Sequence, residues 1–183
     1  EFVTPQMRSH AKAVNFGIVY GISAFSLSED IHVSQKEAQG YIDSYLEKYS
    51  GVRRYMEEIK EKARQDGFVT TLWGRRRYLP ELRSKNFNIR SFGERLALNT
   101  PIQGTAADII KAAMVAVFRR LKKEGLQARL LLQVHDELII EAPEEEAAQV
   151  SALLKEEMEG AFPLSVRLVA DVSQGENWYE AKK

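Results

Sequence analysis

The 183-residue chain contains no cysteine. A disulfide framework, a thiolate metal site and a cysteine nucleophile are therefore excluded. No apolar run reaches the length of a membrane span, and no signal-peptide pattern opens the chain. The expectation is a protein without a membrane partner, compatible with the cytoplasm. Internal repeats, low-complexity tracts and a clear linker are also missing. Net charge is absent too, because 26 basic residues balance 26 acidic ones. That balance hides a partition. Residues 1–123 hold 21 Lys and Arg against 13 Asp and Glu, a net of +8, whereas residues 124–183 hold 5 against 13, a net of −8. A basic front and an acidic back suit a protein that turns one face to phosphates, and equally suit chance clustering on solvated helices. With 44% hydrophobic residues, the chain has enough apolar surface for a packed core.

The chain begins without Met, one turn ahead of a helix, and is expected to be a fragment whose upstream portion is missing. Thr4 can cap that helix and Pro5 can open it, giving a helix from Pro5 to Tyr20. Gly21 and a short polar segment follow. Ser34-Gln35-Lys36-Glu37 reads as a capping box, ahead of Ala38, Tyr41, Ile42, Tyr45 and Leu46 at core spacing. Gly51 punctuates, and Val52, Tyr55, Met56, Ile59 and Ala63 mark another helix that stops at Gly67. Phe68–Leu72 and Tyr78–Leu79 read as short extended pieces around Gly74-Arg75-Arg76-Arg77. A long helix is expected from Asn88 to Lys123, kinked or broken at Pro101, whose nitrogen cannot bond the carbonyl of Ala97. Gln127–Glu141 is strand-forming, Pro143 starts a helix with Glu144, Glu145 and Glu146 in its first turn, and Ser165–Val172 alternates like a last strand. The fold class is α+β.

Three places can carry chemistry. In the first helix Arg8, Lys12, Phe16 and Tyr20 recur every four residues. Each step overshoots a turn by about 40°, so the four side chains form one drifting stripe roughly 18 Å long. Ala11, Val14, Ile18 and Ile22 fall on a separate, packing arc. Two cations followed by two rings suit a nucleoside triphosphate, with Arg offering a planar fork and Lys a point charge. The same spacing also describes an amphipathic helix with solvated cations and core rings. Secondly, His135-Asp136-Glu137 interrupts an apolar run between Leu130-Leu131-Leu132 and Leu138-Ile139-Ile140. A tight turn there lacks Gly or Asn, so it is not an easy one. It puts Asp136 at a hairpin tip, a seat for a hard cation such as Mg²⁺ or an ordinary solvated tip. Thirdly, Arg95, Asn99 and Gln103 form a stripe of one cation and two amides, side chains able to read base edges or simply to line a helix surface. Arg75-Arg76-Arg77 adds a phosphate contact or a solvated basic turn.

Taken together and in this order, the motifs resemble those of family A DNA polymerases. Arg8, Lys12, Phe16, Tyr20 and Gly21 resemble the family's fingers-helix motif. Asn99-Thr100-Pro101-Ile102-Gln103-Gly104-Thr105-Ala106-Ala107-Asp108 resembles its palm helix. Gln133-Val134-His135-Asp136-Glu137-Leu138 resembles its catalytic palm hairpin, and Gly74-Arg75-Arg76-Arg77-Tyr78 also matches. The likeness covers essentially the whole chain and points to a bacterial enzyme, cytoplasmic and nucleoid-associated.

The resemblance implies helical fingers in residues 1–67, inserted into an antiparallel-sheet palm in residues 68–183, as part of a right-hand polymerase fold without its thumb. It implies that Arg8 and Lys12 bind the incoming triphosphate, with Lys12 stabilising or protonating the departing pyrophosphate. Phe16 packs on the sugar, where a Phe ring discriminates against dideoxy sugars, and Tyr20 lies at the templating position. Asp136 is the metal ligand for two Mg²⁺ ions and Glu137 supports it. His135 touches the primer terminus, and Arg77, Arg95, Asn99 and Gln103 contact DNA. The partners are primer-template DNA, a dNTP, and the rest of the polymerase, namely thumb and upstream palm. The family's second metal-bridging carboxylate lies in an upstream motif that this sequence lacks, so the isolated piece is expected to be inactive. Two other readings remain. One is a noncatalytic nucleic-acid-binding module. The other is part of a single-subunit RNA polymerase, because the fingers-helix motif is partly shared with those enzymes.

Overall fold

The computed structural model describes residues 2–182; Glu1 and Lys183, the outer bounds of the two expected segments, lie outside the described residues. The order is α1 (Pro5–Val19), α2 (Ala24–Ile31), α3 (Gln35–Lys48), α4 (Ser50–Asp66), β1 (Phe68–Thr70), β2 (Arg76–Tyr78), α5 (Phe87–Lys123), β3 (Arg129–Val134), β4 (Glu137–Glu141), α6 (Ala147–Glu159) and α7 (Trp178–Ala181), with short 3₁₀ turns at Pro80–Arg83 and Glu144–Glu146. The strands pair as two antiparallel hairpins, β1–β2 and β3–β4. Contacts divide the chain after Gly104 into two compact units, and α5 runs through the division.

In the first unit, α1 begins as its sequence dictates. Thr4 accepts from the Met7 N–H and Pro5 occupies the first turn. The packing arc differs by one position. Ala13, Val14 and Ile22 pack against buried Leu27, Ile31 and Ala38, whereas Ala11 is exposed. Helix α2 corrects the expected polar segment. Ser23 caps it, and Ala24, Leu27 and Ile31 keep helical spacing among serines and acids that mask the pattern. The Ser34–Glu37 capping box forms as read. Gly51 lies inside the first turn of α4 rather than between helices, and α4 ends on Gly67 at φ 77°. A second core joins Ala63, Val69, Leu79, Leu82 and Ala97.

Pro101 does not break α5, which is continuous over 37 residues. A proline forfeits one backbone bond, but its fixed φ is helical. Buried Ala97 and Leu98 before it and Ala113, Val117 and Leu121 after it offset that loss. By length and composition alone this helix is also apolar enough to cross a membrane, contrary to the sequence expectation. Of its apolar positions, Ala97, Leu98, Ala113, Val117 and Leu121 are buried in the protein, whereas Ile102, Val115 and Phe118 are exposed.

In the second unit, Ala113, Val117 and Leu121 of α5 bury with Ala128, Leu138 and Val150, Leu153 and Leu154 of α6. The Glu146 carboxylate accepts from the N–H groups of Gln127 and Ala128 and so fixes the entry to β3. Pro143 leads into a 3₁₀ turn, and the α-helix starts only at Ala147. Ser165–Val172 is not a strand, because no backbone ladder partners it among the described residues. It is held instead by Glu159, which accepts from the Ala170 N–H at 3.2 Å and pairs with Arg167 at 2.9 Å, while Val172 packs on the core.

Arg120 ties α5 to α6. It contacts Glu124 at 2.8 Å, Glu156 at 2.6 Å and Glu157 at 2.9 Å. These bonds raise the guanidinium pKa, and the bond from Arg120 holds the Glu124 carboxyl below its ordinary 4.5. A depressed carboxylate contributes stability above its unfolded pKa and loses it as pH falls through the folded value. The urea midpoint of the wild type should therefore exceed that of Arg120→Met at pH 7. The gap should shrink as pH falls below 4.5, and a gap that widens on acidification would contradict this assignment.

Candidate functional site

The stripe on α1 is left open to solvent. Arg8, Lys12, Phe16 and Tyr20 are all exposed, while Ile18 on the other side is buried. The last three members touch in sequence. Lys12 Nζ lies 6.0 Å from the Phe16 ring centroid, and the Phe16 and Tyr20 rings stack with centroids 6.2 Å apart. The helix therefore displays a cation, then a cation over a ring, then a second ring.

Where α1 ends, the chain passes close to α5. Gly21 has φ 77°, and a Cβ there would meet Leu98 Cδ1 at 2.8 Å and Arg95 Cγ at 3.6 Å. Only glycine meets both demands. This contact brings the end of the α1 stripe beside the Arg95, Asn99 and Gln103 stripe. Arg95 donates to Ser91 Oγ at 3.2 Å and lies over Phe92. Asn99 is half-buried, with an unpartnered buried Oδ1, and Gln103 is exposed. Arg77, on β2, reaches Thr100 Oγ1 at 3.4 Å. A Cβ on Gly104 would stand 2.7 Å from Thr71 Cγ2, so the β1–β2 hairpin also lies tight against α5.

The second unit places His135 and Asp136 in a two-residue turn between Val134 and Glu137. His135 carries φ 54° and supplies the left-handed residue that glycine usually provides. Its carbonyl accepts from Gln133 Nε2. Asp136 is exposed at the tip and has no side-chain partner among the described residues. A bulge precedes the turn. Leu130 faces Ile140 and Leu132 faces Ile139, which leaves Leu131 extra. Cross-strand partners share a face, so Leu130 and Leu132 project oppositely although two residues apart. The bulge thus turns Val134 to the side opposite Leu130, the side on which its partner Glu137, adjacent to core-facing Leu138 on the regular strand β4, already projects. There Lys182 pairs with Glu137 at 3.2 Å.

Lys182 and the close approach at Gly21 escape a reading of the sequence. The first partner lies 45 residues from Glu137, and no local period records either contact. As for a cation, no group of three or more acidic or His side chains able to hold one occurs among the described residues. A free Asp136 carboxylate beside Glu137 still fits one corner of a Mg²⁺ shell, because Mg²⁺ takes few protein carboxylates and fills its shell with water and phosphate oxygens.

The sequence profile of DNA polymerase family A matches residues 1–180. The chain belongs to that family. It is 59% identical over 180 residues to a DNA polymerase I of Bacillus caldotenax and 58% identical over 180 residues to that of Bacillus subtilis (strain 168), matching 98% of this chain and 20% of each relative. The chain thus spans about a fifth of the length of these curated relatives. Among solved structures it is similar to the POL domain of Pol1 from M. smegmatis in complex with DNA primer-template and dNTP. That match has a TM-score of 0.86 and 47% identity, and it covers 91% of this chain and 29% of the other. The family's likeness thus extends from sequence to a mostly helical chain with small antiparallel sheets.

Replacing Gly21 with Ala should cost about 2 to 4 kcal/mol, from the left-handed backbone and from overpacking against buried Leu98. Urea denaturation measures it. A loss under about 0.5 kcal/mol, the usual range for an unconstrained surface site, would contradict the close approach.

Proposed function

We propose that this chain carries the fingers, residues 1–67, and part of the palm, residues 68–183, of a template-directed DNA polymerase. The reaction is nucleotidyl transfer from a dNTP to a primer hydroxyl. One observation carries the reading: α1 leaves Arg8, Lys12, Phe16 and Tyr20 exposed in an unbroken line, in the order phosphate, sugar and base would need. The family membership supports it, as does the similarity to a polymerase domain bound to primer-template and dNTP.

In this reading Arg8 grips phosphate oxygens by its planar fork, and Lys12 neutralises the β- and γ-phosphates as a point charge. As the primer oxygen bonds to the α-phosphorus, the bond to the bridging oxygen breaks, and Lys12 stabilises or protonates the departing pyrophosphate. Phe16 packs on the sugar, and Tyr20 borders the templating base. His135 contacts the primer terminus from the turn. Arg77, Arg95, Asn99 and Gln103 line the duplex. Asp136 would hold Mg²⁺, with Glu137 in support. Two such ions stabilise the attacking and leaving oxygens when bound. Asp136 is the exposed carboxylate without a side-chain partner at this turn among the described residues; a second carboxylate for the pair of ions would come from elsewhere in the polymerase, and residues 1–183 alone are expected to be inactive. The setting is a bacterial cytoplasm, at the nucleoid.

The decisive variant is Asp136→Ala in the full polymerase. Primer extension should fall at least about a hundredfold, while primer-template affinity stays within about threefold, because an ionised carboxylate has no donor to offer a phosphate oxygen. Equal loss of both would favour a noncatalytic binding module. Preference for rNTPs over dNTPs in the same assay would favour an RNA polymerase.

A further inference from the structure

We propose that Lys182 is a positioning residue that acts through Glu137. By holding that carboxylate it keeps Glu137 from joining Asp136 on a bound cation, and so sets how tightly the turn takes one. The proposal rests on reading Asp136 as a cation ligand.

The geometry is asymmetric. Of two adjacent carboxylates, Asp136 is exposed and without a side-chain partner among the described residues, whereas Glu137 has both oxygens 3.2 Å from Lys182 Nζ. The segment that delivers Lys182 is built locally. Asn177 caps α7 by accepting from the Glu180 N–H at 3.1 Å. The chain folds back so closely that a Cβ on Gly175 would stand 2.6 Å from the Ala181 nitrogen. The Lys182 ammonium also lies 5.3 Å from the Trp178 ring centroid, a cation–π contact that helps hold it over the hairpin.

Glu137 projects away from the core because it is adjacent to buried Leu138 on β4, and the bulge at Leu131 turns Val134 to that same side. Removing Lys182 would leave two neighbouring carboxylates uncompensated in a segment whose net charge is already −8. A divalent cation would then be attracted more strongly. Both partners are partly exposed, with side chains 59% and 41% accessible. An exposed pair is worth no more than about a fivefold change in an equilibrium. That size suits adjustment of affinity rather than an on–off gate.

The test uses Mn²⁺ as probe with the full polymerase chain, without DNA or nucleotide, and counts bound Mn²⁺ by electron paramagnetic resonance. Lys182→Ala should tighten the Asp136-dependent site about two- to fivefold. Lys182→Arg should restore wild-type affinity, and Glu137→Gln should remove the gain from Lys182→Ala. In primer extension, Lys182→Ala should reach half-maximal rate at lower Mg²⁺, with KM for dNTP unchanged at saturating Mg²⁺. Unchanged Mn²⁺ affinity in Lys182→Ala, or the same gain in the Glu137→Gln background, would overturn the proposal. Asp136→Ala separates the two layers. If it abolishes the Mn²⁺ site while Lys182→Ala changes nothing, only the role of Lys182 fails. If the site survives Asp136→Ala, the underlying reading of the turn fails and the proposal with it.

Discussion

The structure depends on one constraint: α5 stays helical through Pro101. As a continuous helix it contributes buried residues to a core in each unit. In the first unit it also presents Leu98 to Gly21 and Thr100 to Arg77. The loss of one backbone bond is small beside the burial of residues on both sides of it. This explains how a residue that normally ends helices sits inside one next to the Asn99 and Gln103 positions.

Both candidate sites rest on backbone positions that ordinary side chains resist. Gly21 adopts a left-handed conformation against a buried Leu, which fixes where the α1 stripe ends. His135 adopts one without glycine's freedom, which lifts Asp136 to the tip of a two-residue turn. Strain of this kind persists only where the surroundings impose it. Here the flanking strands impose it, with Leu138 buried in the core and Gln133 bonded back to the His135 carbonyl.

Much of this was legible in the sequence, and the misses have physical causes. The cap at Thr4, the capping box at Ser34, the stop at Gly67 and the hairpin at His135-Asp136 are local signals, decided by residues three or four apart. The stripe on α1 was legible for the same reason. Helix α2 was concealed because only Ala24, Leu27 and Ile31 mark its face. Ser165–Val172 has the alternation of a strand, but alternation reports which sides are apolar and not whether a neighbour supplies hydrogen bonds. The continuity at Pro101 and the pairing of Lys182 with Glu137 depend on residues far apart in sequence, where no period reaches. The three motifs pointed to the family because their order, rather than any one spacing, is specific.

The central proposal has two parts: α1 binds the phosphates, sugar and base of a nucleotide, and the His135-Asp136 turn supplies a carboxylate to a bound cation. A crystal structure of the full polymerase with primer-template, a nonhydrolysable dNTP and Mg²⁺ tests this most directly. The account predicts phosphate oxygens within hydrogen-bonding distance of Arg8 and Lys12, the sugar against Phe16, and Asp136 ligating Mg²⁺. A nucleotide bound away from α1, or a cation shell without Asp136, would contradict it.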